Sequence, residues 1–131
     1  MAFPEQWAKA AIEAATGCQA FPLIAPEAAP LPYVVYGRTS TSREAPMTAA
    51  GLMVAPAATF QVEIYAATYT AAKTLADQVR QAMHNFHGAA YGMTIRQSLL
   101  TEERDGDAVF FDGQDKPTFS VEHVYQIRWE E

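Results

Sequence analysis

The residue types that could do chemistry are few, and His84-Asn85-Phe86-His87 is the first group to weigh. Two imidazoles three positions apart share one face of a helix and could ligate a single metal ion. A site needs a third ligand, and no acidic residue has matching helical spacing nearby. His84 also falls on the polar side close to a predicted helix end, where a histidine is favoured by the helix dipole. His123 sits on the apolar side of a predicted strand, the position of a hydrogen-bonded core or interface histidine. Cys18 is the single cysteine, so no intramolecular disulfide can form. It lacks a nearby base and orienting group, and is read as a half-buried residue just after a helix. Glu102, Glu103, Asp105, Asp107, Asp112 and Asp115 cluster around Gly106 and Gly113 as a solvated turn. Their proximity alone is weak ground for acid–base work. There is no glycine-rich phosphate loop, nucleophile elbow or Cys-x-x-Cys. The sequence therefore predicts no catalytic residue, no metal and no cofactor.

The elements that would hold these residues follow from periodicity. Phe3, Trp7, Ala8, Ala11, Ile12 and Ala15 recur at helical spacing against Glu5, Gln6, Lys9 and Glu13. With Pro4 in the first turn and Gly17 as a left-handed stop, a helix is predicted from about Pro4 to Thr16. Pro22, Pro26, Pro30 and Pro32 forbid helix and point to a short edge strand followed by an extended loop. Tyr33-Val34-Val35-Tyr36 is β-branched and aromatic, hence strand. From Gly37 to Ala58 periodicity fades, so this is either two strands extended into a protruding hairpin or a long loop of the kind that tends to be functional. Thr59–Tyr65 alternates cleanly, with Phe60, Val62 and Ile64 facing in and Gln61, Glu63 and Tyr65 facing out. A second helix follows, capped by Thr68 or Thr70, with a stripe of Ala72, Leu75, Ala76, Val79, Met83 and Phe86 and a stop at Gly88. Two strands remain, from Met93 to about Glu103 and from Thr118 to Trp129, joined as an antiparallel hairpin through the turn at Asp105-Gly106-Asp107. The predicted fold class is α+β, one mostly antiparallel sheet with two helices and a long protruding loop or hairpin, in a single domain over residues 1–131. Trp7 and Trp129 are expected as core or interface anchors.

Composition bounds the function. Half of the 131 residues are apolar and 18% are charged, an ordinary globular mixture. Alanine makes up much of the apolar share, so a thin core is expected. The net charge of −6 disfavours stable binding to nucleic acid. The N-terminus lacks the basic and apolar regions of a signal peptide, and no run approaches the roughly 18 apolar residues of a membrane span. A soluble, internal protein is expected.

The order of these elements resembles a known family. Leu31-Pro32-Tyr33-Val34-Val35-Tyr36 after a proline-rich approach is one anchor. The other is Phe60-Gln61-Val62-Glu63-Ile64-Tyr65-Ala66-Ala67-Thr68-Tyr69, running into Ala71-Ala72-Lys73-Thr74-Leu75-Ala76. With the N-terminal helix and the closing Tyr125-Gln126-Ile127-Arg128-Trp129, they resemble the tail completion (tail terminator) proteins of siphophages, prophages and gene transfer agents. The resemblance implies a non-enzymatic protein that forms a hexameric ring on the finished tail tube, stops its polymerisation and presents a surface to the head connector. It implies the virion tail as final location, with assembly in the bacterial host cytoplasm. The implied partners are further copies of the chain, the tail tube protein and the head–tail connector protein, with no membrane. Six copies at −6 each would give a ring of −36, whose acidic bore repels passing DNA rather than trapping it. Closed rings need two different complementary surfaces. The expected contact residues are Arg38, Arg43, Met47, Leu52, Met53 and Val54 of the protruding segment, with the outward edge of the final hairpin. Rival readings are another neck component, such as a connector or stopper, and a small cytoplasmic ligand-binding or enzymatic α+β domain using His123 or the His84/His87 pair.

Overall fold

The computed structural model describes residues 3–26, 29–44, 55–110 and 116–130. The chain opens with helix α1, Pro4–Thr16, where the Phe3 N–H donates to Gln6 Oε1 at 3.0 Å and Gly17, at φ 72°, ends the helix with its N–H on Glu13 O. A left-handed residue there turns the chain back at once into β1, Gln19–Pro22, an edge strand parallel to the start of β2. β2 spans Tyr33–Glu44 and β3 spans Ala55–Ala66. They pair antiparallel from Tyr33↔Tyr65 to Glu44↔Ala55, so the described parts of the ambiguous region, Gly37–Glu44 and Ala55–Ala58, form an extended two-stranded arm. Met47, Leu52, Met53 and Val54 lie outside the described residues.

Helix α2, Tyr69–Met83, begins where Thr68 Oγ1 accepts the Ala71 N–H at 3.1 Å. Its end corrects the sequence reading. The helix stops at Met83, not at Gly88, because Asn85 takes a left-handed φ of 61°, which asparagine tolerates. Phe86 then belongs to a strand, β4, Phe86–Ala90, and Gly88 spends its positive φ at a bulge within it. The apolar spacing carries across the break because Phe86 still packs on Trp7, ring to ring at 5.2 Å. Among the described residues three strands therefore follow α2 rather than two: β4, β5 (Met93–Asp105) and β6 (Phe119–Trp129).

The result is α+β, a six-stranded sheet in the order β1-β2-β3-β6-β5-β4, antiparallel throughout except for β1 with β2. Both helices lie on one face and touch each other. The bulky core side chains come largely from the sheet: Phe60, Val62, Ile64, Val121, Tyr125, Ile127 and Trp129. The helices answer with small ones, Ala8, Ala11, Ala72 and Ala76, flanking Trp7, Ile12, Val79 and Met83. Alanine-rich composition thus reflects close helix-to-helix and helix-to-sheet approach around a core filled by large sheet residues.

Candidate interaction surface

The sheet has a second face that neither helix of the described residues covers. Along β3, alternation sends Gln61, Glu63 and Tyr65 to that side, all half-buried by one another. Tyr33 stacks on Tyr65 with centroids 5.2 Å apart, and Phe21 meets Tyr33 edge-on at 6.1 Å. The Tyr65 hydroxyl donates to Glu63 Oε2, and Gln61 Nε2 donates to the other carboxylate oxygen at 3.2 Å. Burial, then the hydrogen bond to Glu63, pushes the Tyr65 phenol well above its ordinary value, so it stays protonated. Beside them a recess of about 100 Å³ is lined by Leu23, Val35, Gly37, Thr39, Gln61 and Glu63. Leu23 reaches over Gly37, where a Cβ would meet Leu23 Cδ2 at 2.7 Å; only glycine allows this approach without displacing it. Leu23 and its neighbour Ile24 are 77% and 79% exposed, and Phe110, on the connection from β5 to β6, is 64% exposed. Exposed apolar side chains at such connections suit a docking surface. The outward alternation of residues 61–65 is visible in the sequence, but Leu23 and Ile24 are hidden there by the proline-rich stretch.

The expected contact residues separate. Arg38 is turned to the helix side and engaged within the chain. Its guanidinium pairs with Glu5 at the start of α1, donates from Nη1 to Thr41 Oγ1 at 3.0 Å, and lies 5.0 Å from the Trp129 ring and 5.8 Å from Phe60. It clamps the helix to the hairpin arm. Arg43 is exposed near the end of β2, opposite Pro56.

The candidate chemical groups do not converge. His84 is the residue that ends α2, and its Nδ1 accepts the Leu100 N–H at 3.0 Å, while His87 is exposed on β4. They share no helical face, contrary to the sequence expectation, because the helix ends at Met83, before either of them. His123 is fully buried between sheet and helices. Its Nδ1 lies 2.8 Å from the Tyr125 hydroxyl, and its Nε2 lies 3.0 Å from Glu103 Oε2, off the axis of a directed hydrogen bond. Burial lowers its pKa against the opposing pull of Glu103, so the imidazole is neutral near neutral pH. Cys18 is half-buried just past α1, its N–H on Thr16 Oγ1. Asp105 is held below the ordinary carboxylate range by hydrogen bonds from Lys73 and Tyr69, which tie the end of β5 to the start of α2. Asp112 and Asp115 lie outside the described residues, and among the described residues no three potential ligands gather around a metal position.

Residues 7–125 match the family described as Tail completion protein gp17. A chain from a solved structure titled "Virion of native gene transfer agent (GTA) particle" has the same fold, with a TM-score of 0.65 at 17% identity over 98% of this chain and 90% of that one. Comparison with curated proteins gave no match.

Proposed function

From a chain that belongs to the Tail completion protein gp17 family, and is thus a phage tail structural protein, we propose a tail terminator that caps the tube as a closed ring of six copies. In this reading the ring stops tube polymerisation and offers its other side to the head–tail connector. DNA passes through the bore without being held. The chain is assembled in the host cytoplasm and remains in the virion tail. The observation that carries this is a sheet that, among the described residues, carries both helices on one face, and whose other face holds half-buried aromatic, acidic and amide side chains and a recess flanked by exposed Leu23. Such a surface gains by covering, and a ring supplies the cover. The arm built from β2 and β3, with residues 45–54 joining its strands in sequence, is the proposed reach toward the neighbour or the tube, through Arg43 and the apolar Met47, Leu52, Met53 and Val54.

Negative-stain electron microscopy of the purified protein, alone and mixed with tail tubes, tests the proposal. Rings at one end of the tube, and arrest of tube growth when the protein is added, are expected. Binding to the head connector with no effect on tube length would instead favour a connector or stopper. Deleting residues 45–54 should leave a folded monomer that fails to assemble.

A further inference from the structure

The two edges of the sheet are each covered over only part of their length. On one side β1 pairs with Tyr33–Tyr36 of β2, and the Leu23 N–H closes on Tyr36 O at 2.8 Å. Beyond that point Gly37–Glu44 has no partner strand on its outer side among the described residues. On the other side β4 pairs with Met93–Ser98 of β5, and His84 takes the Leu100 N–H. Thr101–Asp105 then has no outer partner strand among the described residues. A register shift lies near the start of each open segment, Arg38/Ser40 in β2 and Leu100/Glu102 in β5.

Open edges are usually blocked, and β1 shows how this sheet does it. The Ala20 N–H donates to Glu13 Oε2 at 3.1 Å, and Pro22 has no N–H to offer. Neither Gly37–Glu44 nor Thr101–Asp105 contains a proline. We propose that these two edges join between copies, the β2 segment Gly37–Glu44 of one chain adding antiparallel to the β5 segment Thr101–Asp105 of the next. The sheet then runs from copy to copy around the ring. This rests on the ring reading above.

Three features fit the joint. First, the chain of antiparallel pairings from β2 through β3 and β6 to β5 makes β2 and β5 antiparallel, and a neighbour that continues the sheet keeps that sense. Second, Arg38, Phe60, Tyr125 and Leu100 lie level across the sheet; Ser40–Glu44 lies to one side of that line and Thr101–Asp105 to the other. Joining them offsets successive copies along the strands and leaves β1 and β4 clear of the contact. Third, the charges oppose. Gly37–Glu44 carries Arg43 beside Arg38, which Glu5 already engages, against one glutamate; Thr101–Asp105 carries Glu102 and Glu103 beside Asp105, which Lys73 already engages, against one arginine. Two different edges on one chain are what a closed head-to-tail ring requires.

The ladder shows where a proline separates the two roles. Tyr36 O faces outward to Leu23, and the bulge after Arg38 changes the alternation so that Ser40 and Ser42 face β3 while Thr41 and Arg43 face out. Thr41→Pro removes an outward donor and the exposed Thr41 Oγ1 that accepts from Arg38, but no β2–β3 bond and not the Arg38–Glu5 pair, so the monomer should keep its melting temperature within a few degrees while assembly weakens about tenfold or more. In a Cys18→Ser background, copies carrying Thr41→Cys are mixed with copies carrying Thr101→Cys or Glu102→Cys and oxidised. Crosslinks are expected between the two kinds of copy and not between like copies. If Thr41→Pro unfolds the monomer, this crosslinking decides. Wild-type rings with crosslinks only between like copies, or with none, overturn the edge joint while the ring stands. A wild-type chain that stays monomeric by light scattering, alone and on tail tubes, overturns the ring itself.

Discussion

Adjacent residues of β3 divide between two environments. Phe60, Val62 and Ile64 are fully buried under the helices, while Gln61, Glu63 and Tyr65, one step away in sequence, are half-buried on the face away from the two helices. The covered face is largely apolar and filled by large groups, with His123 and the phenols of Tyr36 and Tyr125 as buried titratable groups. The open face mixes stacked tyrosines with carboxylates and amides, and holds them in local hydrogen bonds. Such groups keep water and partners as alternatives, whereas a buried aliphatic side chain has no favourable place outside the core. The covered face therefore holds the monomer together, and the open face can be altered at little cost to folding.

That contrast is most sharply tested by paired substitutions on β3. Phe60→Ala, which empties a fully buried aromatic site, should cost about 3–5 kcal/mol in urea unfolding. Gln61→Ala, beside it on the other face, should stay within about 0.5 kcal/mol. Comparable losses from both would show that the two faces contribute alike and would break the comparison.

Arg38 lies between these extremes, since it ties the hairpin arm to α1 through Glu5 and stacks near Trp129 and Phe60. Arg38→Ala should cost about 1–2 kcal/mol. Arg38→Lys should recover only part of that, because an ammonium lacks the flat group that both pairs and stacks. Full recovery by lysine in thermal unfolding would reduce the clamp to a point charge.

His123 sharpens the covered side further. Its folded pKa lies below the ordinary histidine value because of burial, opposed by Glu103, with Arg80 and Lys73 of α2 adding to the lowering. The unfolded chain therefore binds a proton that the folded one resists. Stability should fall as the pH drops below about 6.5 and level off once the folded imidazole is itself protonated. His123→Gln should flatten that acid slope in a series of melts from pH 7.5 to 5. An unchanged slope would place the acid sensitivity elsewhere.

Much of this division is legible in the sequence. Thr59–Tyr65 reveals both faces by strict alternation, and Pro4 and Gly17 bound α1, because each signal there has one local physical cause. The end of α2 is misleading in the sequence because Phe86 continues the apolar spacing although Asn85 has already turned the chain; tertiary packing on Trp7 satisfies the pattern from a strand. The hairpin arm is ambiguous for a related reason. Thr39-Ser40-Thr41-Ser42 offers no large apolar side chain to a buried face, so nothing imposes a period on it. Arg38 looks like a surface charge because its partner Glu5 is distant in sequence and its ring neighbours are known only once the sheet is paired. The edges of the sheet cannot be read from sequence at all, since strand order is a property of pairing.

The smallest effect is expected on the open face, at Tyr65. Tyr65→Phe keeps the stack on Tyr33 and removes only the hydroxyl that donates to Glu63. At pH 7 the change in monomer stability should stay within about 0.5 kcal/mol, because both groups are partly solvated and water replaces the lost bond. The difference should appear under alkaline conditions. Burial and Glu63 raise the folded phenol above the unfolded value, so its contribution is complete below about pH 10 and is lost as the pH rises toward the folded pKa. Wild type should therefore lose more stability than Tyr65→Phe between pH 9 and 11, with the two close together at pH 7. Tyr125→Phe, on the covered face, should share the alkaline benefit, since burial raises that phenol too, but should also disturb the contact to His123 at neutral pH. A neutral-pH penalty at Tyr65 equal to that at Tyr125 would mean that the open face contributes to the fold no less than the covered one.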